Sequence, residues 1–546
     1  MASVRQPIII NNKTLAAAEG VELEAHKILY IGRILADAPA TDRGFYTDVK
    51  DDKATEALLG PKSEAFKNIK LAKSISGANR IDFIAIKDDN SDASGHSTPG
   101  TAKISIPADG VATADGDITI RVASRANYSY TVSIVKGETA EDILNKINGI
   151  IIQDLYLPLD LKIKDENNLK VLTFTTLHKG AFVNSYVLEV EGFDKIGISP
   201  VLDGFQGGSD GLLIVDDSIF DKISKIRYQE IVADAPVTYD MLETFLAKRW
   251  NVANQIKDGH AWMVKRDTFA NLIEFGNSKN GFNVSVFYDK KETEGDYTGA
   301  YLGETEGAVA LSMAQIEALQ YTDGAILTAL YPAMPGTNDL YGGMRQATLP
   351  YFNTLIPWMI PLRDDLGFSD EPEDPLMPNT SEIGKLKNVG YCEIGNNISN
   401  VSVLRGECRT FFKVDSAGNS NKTYRYVNTK WTASKFSEYL YLRQRQFYPK
   451  NRMSDISGQY DQTTSIASFI NDLKTVYREC SEPEYGILLL RNGQAAKDAF
   501  ARAIEDTVKF DFLDGEITDT QLLAFNGQVR NILNTLTPIF NINNEE

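Results

Sequence analysis

The chain has 546 residues, 43% apolar and 24% charged, with a formal net charge of −18. That length is too great for a single core and calls for about three domains. The acidic balance argues against a nucleic-acid binder, which needs a basic surface to neutralise phosphates, and no apolar run approaches the roughly 20 residues of a membrane span.

The first twenty residues read as an arm. Val4, Ile8, Ile9 and Ile10 give it strand character, and Pro7 suits an edge because it cannot donate to a ladder. Three consecutive exposed isoleucines would invite aggregation, and a neighbouring subunit that accepts the strand would remove that hazard. This N-terminus carries no apolar signal-peptide core, so the expected place of synthesis and residence is a cytoplasm.

Lys27 to Leu35 (KILYIGRIL) has a buried-strand pattern; a helix over Ser63 to Ala72 and a strand over Arg80 to Ile86 complete a β–α–β start. A polar, turn-forming stretch, 88–100, marks a boundary. Beyond it come short alternating strands at Ile104–Ile106, Ile118–Val122, Tyr128–Val135, Val171–Thr176 and Tyr186–Glu191, with one helix over Ala140–Ile150. Gly204 to Gly211 reads as the exit linker. Residues 98–210 are therefore expected to form a mostly β insertion in an α/β body.

From 211 to 362 the α/β texture returns. Strands are expected at Arg227–Val232, His260–Lys265 and Phe282–Phe287. A helix with Met241, Leu242, Phe245 and Leu246 on one face lies between the first two. A second, capped by Asp267, lies between the others. This is a βαβαβ unit and implies a partly parallel sheet. The acidic, proline-rich stretch from Asp364 to Asn379 anchors a linker placed at 363–385. A C-terminal α+β domain, 386–524, is expected to carry strands at Val401–Leu404, Cys408–Lys413 and Thr423–Val427. A helix with Phe436, Tyr439, Leu440, Arg443 and Phe447 follows and stops at Pro449. In the tail, 525–546, Ile532, Leu536, Phe540 and Ile542 suggest a second strand-lending arm.

Signals of reaction chemistry are missing. There is no phosphate-binding loop of the G-x-x-x-x-G-K-[ST] form, and no H-E-x-x-H. His26, His96, His178 and His260 are scattered; His260, opening a buried strand beside Trp262, reads as a satisfied core histidine. The Glu292–Glu294 and Asp370–Asp374 acids read as solvated loops. Cys392, Cys408 and Cys480 show no C-x-x-C spacing and read as reduced, partly buried thiols. No cofactor and no metal are expected, and an α/β hydrolase would need a nucleophile–base pair that no residues here supply.

Two stretches resemble the sheath proteins of contractile phage tails, particularly the Mu-like branch. One is the C-terminal run from Gly390 to Arg452, with its hairpin, polar bend and helix ending in Tyr448, Pro449 and Arg452. The other is RW…QIKDGHAWMVKRDTFANLIEFGNSKNGFNVSVF, where Gly259, His260, Asn277 and Asn280 match the family pattern and Lys279 replaces its usual Arg. The fold that the resemblance implies is a sheath-type body of α/β and α+β domains with an outward-facing insertion and extended terminal arms. It also implies a homo-oligomer: hexameric rings in a helical array around a tail tube protein, with baseplate and tail terminator proteins as further partners. Nucleic acid and membrane insertion play no part in that expectation. The terminal arms would complete sheets in neighbouring subunits. The sheath of a tailocin or other contractile injection system fits the same residues.

Overall fold

A computed structural model of the chain describes residues 26–77, 79–89, 94–211, 215–234, 236–249, 258–292, 299–322, 378–396, 402–405 and 408–421. It adds Met359, a few positions between 424 and 475, and short terminal strands. The chain divides into two compact units. One comprises Met1–Ala25, Gln320–Pro350 and Asn421–Glu546; the other comprises His26–Leu319 and Tyr351–Ser420.

In the first unit the described elements are short. Strand β1 (Ile10–Asn12) pairs antiparallel with β2 (Glu19–Val21). Towards the other end of the chain lie paired strands of two to four residues, taken up below. Where a strand was expected over Thr423 to Val427, Tyr424 and Arg425 lie in a turn, Tyr426 makes a β-bridge and Val427 is helical, as are Lys430 and Ser434. The helix face from Phe436 to Phe447 and the helix stop at Pro449 lie outside the described residues.

The second unit is built on a seven-stranded sheet. Its first member is β3 (Lys27–Ile34), buried at seven consecutive positions. Such unbroken burial belongs to a strand covered on both faces. The Tyr30 ring folds back across Gly32, where a Cβ would come within 2.5 Å of it. Next come β4 (Phe45–Tyr46), α1 (Lys53–Leu59), α2 (Glu64–Ile75) and β5 (Arg80–Lys87).

The chain then leaves the sheet and folds as an inserted domain. Strands β6 (Pro99–Pro107), β7 (Gly116–Ala123) and β8 (Ser129–Ile134) precede α3 (Ala140–Ile151). Strands β9 (Leu159–Glu166), β10 (Leu169–Lys179), β11 (Val187–Glu191) and β12 (Val201–Gln206) follow. They make two antiparallel sheets, β12-β6-β10-β9 and β11-β7-β8. Helix α3 starts at a reciprocal cap: Thr139 Oγ1 accepts the Asp142 N–H while Asp142 accepts the Thr139 N–H. Its Ile143, Leu144, Ile147 and Ile151 are fully buried with Ile104, Ile118, Ile120, Leu172 and Phe174 in one core. Entry and exit are zipped together by two hydrogen bonds between the main chains of Thr98 and Ser209, at 2.9 and 3.3 Å. The exit linker begins at Gly207, because β12 (Val201–Gln206) takes up the first residues of the stretch read as linker; β9 and β12 are strands the sequence reading omitted.

Back in the sheet, β13 (Glu230–Ala233), α4 (Tyr239–Arg249), β14 (His260–Asp267), α5 (Phe269–Ser278), β15 (Val284–Glu292) and β16 (Gly299–Ala300) lead to α6 (Glu306–Thr322). The full order is β16-β15-β14-β13-β3-β5-β4, and β15, β14, β13, β3 and β5 run parallel. Counted along the chain, the parallel strands lie in the order second, first, third, fourth, fifth, a doubly wound arrangement.

Further expectations need correction. The strand read at Arg227 starts only at Glu230, because Arg227 is turned to Asp258, donating to its carbonyl at 3.3 Å and pairing with its carboxylate at 3.2 Å. The cap of α5 is Thr268 rather than Asp267; the Thr268 hydroxyl accepts the Asn271 N–H, and Asp267 supports it by accepting from the Thr268 N–H at 2.9 Å. Residues 380–385, assigned to a linker, belong to α7 (Thr380–Val389), which opens on an Asn379–Glu382 capping box.

After α7, Cys392 adds to the free side of β15, its N–H donating to Val286 O at 2.9 Å. Strand β17 (Glu393–Asn396) pairs antiparallel with β18 (Ser402–Arg405), so the strand expected at Val401–Leu404 is present. Among the described residues Cys408 to Lys413 forms no strand, only a single β-bridge at Arg409. It runs extended, held by side chains: the Ser285 hydroxyl donates to Arg409 O, and Asn280 clasps Lys413 and Val414. The first unit ends in the paired strands β19 (Arg452–Ser454) with β20 (Thr463–Ser465), β21 (Lys509–Phe512) with β22 (Leu523–Asn526), and β23 (Arg530–Asn531) with β24 (Phe540–Asn541). No helix among the described residues is long and apolar enough to cross a membrane.

Candidate functional site

In a doubly wound sheet the place for a ligand is the crevice beyond the strand ends where the order reverses, here between β3 and β13. This chain fills that place itself. Asp234, just past β13, accepts the Tyr30 hydroxyl at 2.6 Å, and Asn68 of α2 donates to the same hydroxyl oxygen at 2.9 Å. Gly307, in the first turn of α6, approaches so closely that a Cβ would lie 2.0 Å from Asp234 Oδ1. The electropositive start of a helix attracts an anion, and here the chain's own carboxylate is the anion. Burial pushes Asp234 up to about 6 even though the Tyr30 bond and Arg33 pull it down.

Beside it stands Arg33 of β3, whose side chain is fully buried. One guanidinium nitrogen donates to Asp210 Oδ1 at 2.5 Å, the other to Lys179 O at 3.1 Å, and the group lies 4.6 Å above the Phe182 ring. Gly180 has φ 139°, and a Cβ there would meet Arg33 Nη1 at 2.6 Å. Next to it, His178 of β10 donates from Nδ1 to Asp88 at 2.6 Å and accepts the Glu64 N–H on Nε2 at 2.9 Å. Ser63, the residue before α2, makes no side-chain cap; an imidazole from the inserted domain caps that helix in its stead. Glu64 is buried, but Lys67 at 2.7 Å, His178 and the Tyr186 hydroxyl outweigh burial and hold its carboxyl low.

A second joint lies at the far side of the insertion. Glu304, 1% exposed, accepts the Ser124 hydroxyl at 2.6 Å and the Ala126 N–H at 2.8 Å. Burial pushes its carboxyl up to about 7. Arg266 donates to Ser185 O, to Glu304 O and to Asp289 within 2.5–2.7 Å. Arg125 pairs with Glu189 at 3.1 Å and packs on Gly303, whose φ is 64°. The inserted domain is thus pinned to the sheet at two separate places by buried, charge-assisted bonds. The arrangement can transmit force. Among the described residues no cluster of His, Cys, Asp and Glu could hold a metal ion.

Of the arm residues expected from the sequence, Ile10 opens β1 opposite Val21 and Phe540 opens β24 opposite Asn531. Val4, Ile8, Ile9, Ile532, Leu536 and Ile542 lie outside the described residues. The family-pattern residues take up structural work. Gly259 passes Tyr228 O so closely that a Cβ would sit 2.1 Å from it. His260 is fully buried, with Nε2 2.9 Å from Ser285 Oγ and its ring edge-on to Trp262. Asn280 accepts the N–H of Lys413 and of Val414 and donates to Val414 O. Asn277 offers its carbonyl oxygen to the Lys413 ammonium at 3.4 Å. Lys279 reaches both Asp240 oxygens at 2.7 and 2.9 Å and lies over the Tyr239 and Phe275 rings; it serves there as a point charge. Sequence reasoning missed Arg33, His178, Arg266 and Glu304. One signal was present: Arg33 is a charge inside an otherwise apolar strand.

What these features define is a multidomain α/β protein whose ligand crevice is closed by its own side chains and whose insertion is locked to its sheet. The particular resemblance follows from comparison with known proteins. No family model matches the chain. It is similar to the tail sheath protein of the Mu-like prophage FluMu of Haemophilus influenzae, 24% identical over 310 residues. That match covers 55% of this chain and 59% of the relative, less than two thirds of the relative's length. Among solved structures, the sheath tail protein of Desulfitobacterium hafniense aligns over 97% of this chain and 98% of that one, at 11% identity and a TM-score of 0.41. The flagellar cap protein of Escherichia coli (its D1-D2-D3 domains) aligns over 22% of this chain and 41% of that one, at 16% identity and a TM-score of 0.16. The resemblance to Mu-like phage tail sheath proteins read from the sequence is borne out.

Proposed function

We propose that the chain is the structural subunit of a contractile phage tail sheath. Copies stack as hexameric rings in a helical array around a tail tube protein, between a baseplate and a tail terminator, after assembly in the host cytoplasm. Contraction drives the tube through the host envelope for genome ejection. The observation that carries this reading is the similarity to the FluMu tail sheath protein across 310 residues. The double pinning of the inserted domain supports it, because a subunit that rotates nearly rigidly needs its parts to move together.

In this reading residues 1–20 and 525–546 are arms lent to neighbours, each completing a sheet. Strand addition fits such a mesh, since main-chain bonds do not depend on side-chain detail. The inserted domain faces outward and the C-terminal domain inward. No nucleotide drives the motion: the extended array is a kinetic trap that runs downhill once released. Deleting residues 1–20 tests the arms. The truncated subunit is expected to stay folded and soluble while negative-stain microscopy finds none of the striated tubes that the full chain forms. Tubes of normal length from the truncation overturn the arm model, and compact particles alone from the full chain overturn the sheath reading.

A further inference from the structure

Cys392 and Cys408 sit at the two ends of the β17–β18 hairpin. Cys392 immediately precedes β17 and Cys408 lies three residues past the end of β18. Both are reduced and buried, 1% and 0% exposed. The main chain brings them together: the Arg409 N–H donates to Cys392 Sγ at 3.1 Å, and Cys392 Sγ–H faces Arg409 O at 3.4 Å. The sulfur of one therefore lies against the peptide bond that leaves the other. Each segment is fixed to the same strand of the sheet. Cys392 N–H donates to Val286 O, and the Ser285 hydroxyl donates to Arg409 O.

We propose that Cys392 and Cys408 form a dithiol–disulfide site that takes low-molecular-weight disulfides as oxidants and closes into a covalent staple across the base of the hairpin. Two elements now held side by side by weak bonds to thiols would become one covalent joint on the edge of the seven-stranded sheet.

The chemistry is ordinary exchange. The Cys392 thiolate attacks one sulfur of oxidised glutathione, and one glutathione leaves as thiolate. The Cys408 thiolate then attacks the Cys392 sulfur of the mixed disulfide and expels the second glutathione. Two protein thiols are oxidised, one glutathione disulfide is reduced to two thiols, and the two protons from the cysteines end on the two glutathiones. Cys392 is suited to the first attack. Burial opposes its ionisation, but the polar groups around the sulfur, among them the Arg409 N–H, outweigh burial and hold it below the ordinary thiol range. With both sulfurs buried, exchange takes place during folding or in an opened state, and the finished bond is shielded from reductants by the same burial. For a particle that leaves a reducing cytoplasm, which rests on the function proposed above, the staple would close after release.

The test needs no tubes, so its failure leaves the sheath reading untouched. The full chain is refolded from denaturant in a buffer of equal oxidised and reduced glutathione, free thiols are alkylated, and peptides are analysed by mass spectrometry without reduction. Most of the chain is expected to yield a Cys392–Cys408 linked peptide pair, with Cys480 alkylated. The oxidised chain should melt a few degrees higher than the reduced one, and a dithiol reductant should reverse the shift. Cys480→Ser should leave the link intact, whereas Cys392→Ser and Cys408→Ser should abolish both link and shift. Full alkylation of Cys392 and Cys408 under these equilibrating conditions overturns the proposal. So does scrambled pairing with Cys480, or a link that lowers the melting temperature.

Discussion

The inserted domain and the sheet that carries it are held together by different means. Between the insertion's sheets and α3 the core is a cluster of apolar side chains, with Ile104, Ile118, Ile147, Leu172 and Phe174 fully buried in it, and its buried charges, such as Arg125 and His178, lie towards the sheet. The sheet buries charge: Arg33, Asp82, Glu230, Asp289 and His260 are all at 0% exposure. An apolar core is satisfied by volume and pattern alone. A buried charge network is satisfied only when every partner is in place. The insertion could therefore drift in sequence and still fold, whereas the sheet's edge fixes one arrangement of sheet and insertion.

Substitutions can break that contrast, in order of expected size. Arg33→Met leaves Asp88 and Asp210 facing an uncharged side chain and should cost about 3–5 kcal/mol in urea unfolding; a loss under about 1 kcal/mol would show that the neck holds without its cation. Ile147→Ala, in the insertion's core, should cost about 3 kcal/mol. Its signature differs: hydrogen exchange should quicken within 99–206 and stay unchanged in β3 and β13. Acid should sharpen the contrast. Asp234 and Glu304 hold protons up to about 6 and about 7, above their unfolded values. The folded chain thus binds more protons in between, and their contribution is complete below pH ~4 and lost as pH rises through ~6 to ~7. Stability should rise by about 4 kcal/mol between pH 8 and pH 5, and Glu304→Gln should flatten much of that slope. Gly307→Ala forces a methyl group against Asp234 and should cost about 1–3 kcal/mol. Lys279→Met, at a half-exposed pair, should cost under about 1 kcal/mol.

Patterns that depend on covering were legible in the sequence. The apolar run of β3, the alternation of β6, β7 and β10 and the helical stripe of α3 each follow from which faces are buried, and burial writes itself into residue type. Cys408 to Lys413 has the alternation of a strand and is extended, and it bonds to the side chains of Asn280 and Ser285; no local pattern announces that side chains so distant in the sequence will help to hold it. Helix α7 was marked by its Asn379–Glu382 box and hidden by the acidic, proline-rich stretch before it. The joints were least legible. Glu304 reads as one more acid in a loop until Ser124 and Ala126 are folded against it, whereas Arg33 stood out among apolar neighbours without revealing its partners.

The zipped neck between Thr98 and Ser209 has a practical meaning for exchange of the domain above it. Because entry and departure lie side by side, the strand order below is indifferent to how much polypeptide is threaded through that doorway. A foreign module could be seated there, but the socket is keyed. It would have to bring a backbone oxygen for Arg33, an acceptor for the first amide of α2, and a hydroxyl and an amide for Glu304.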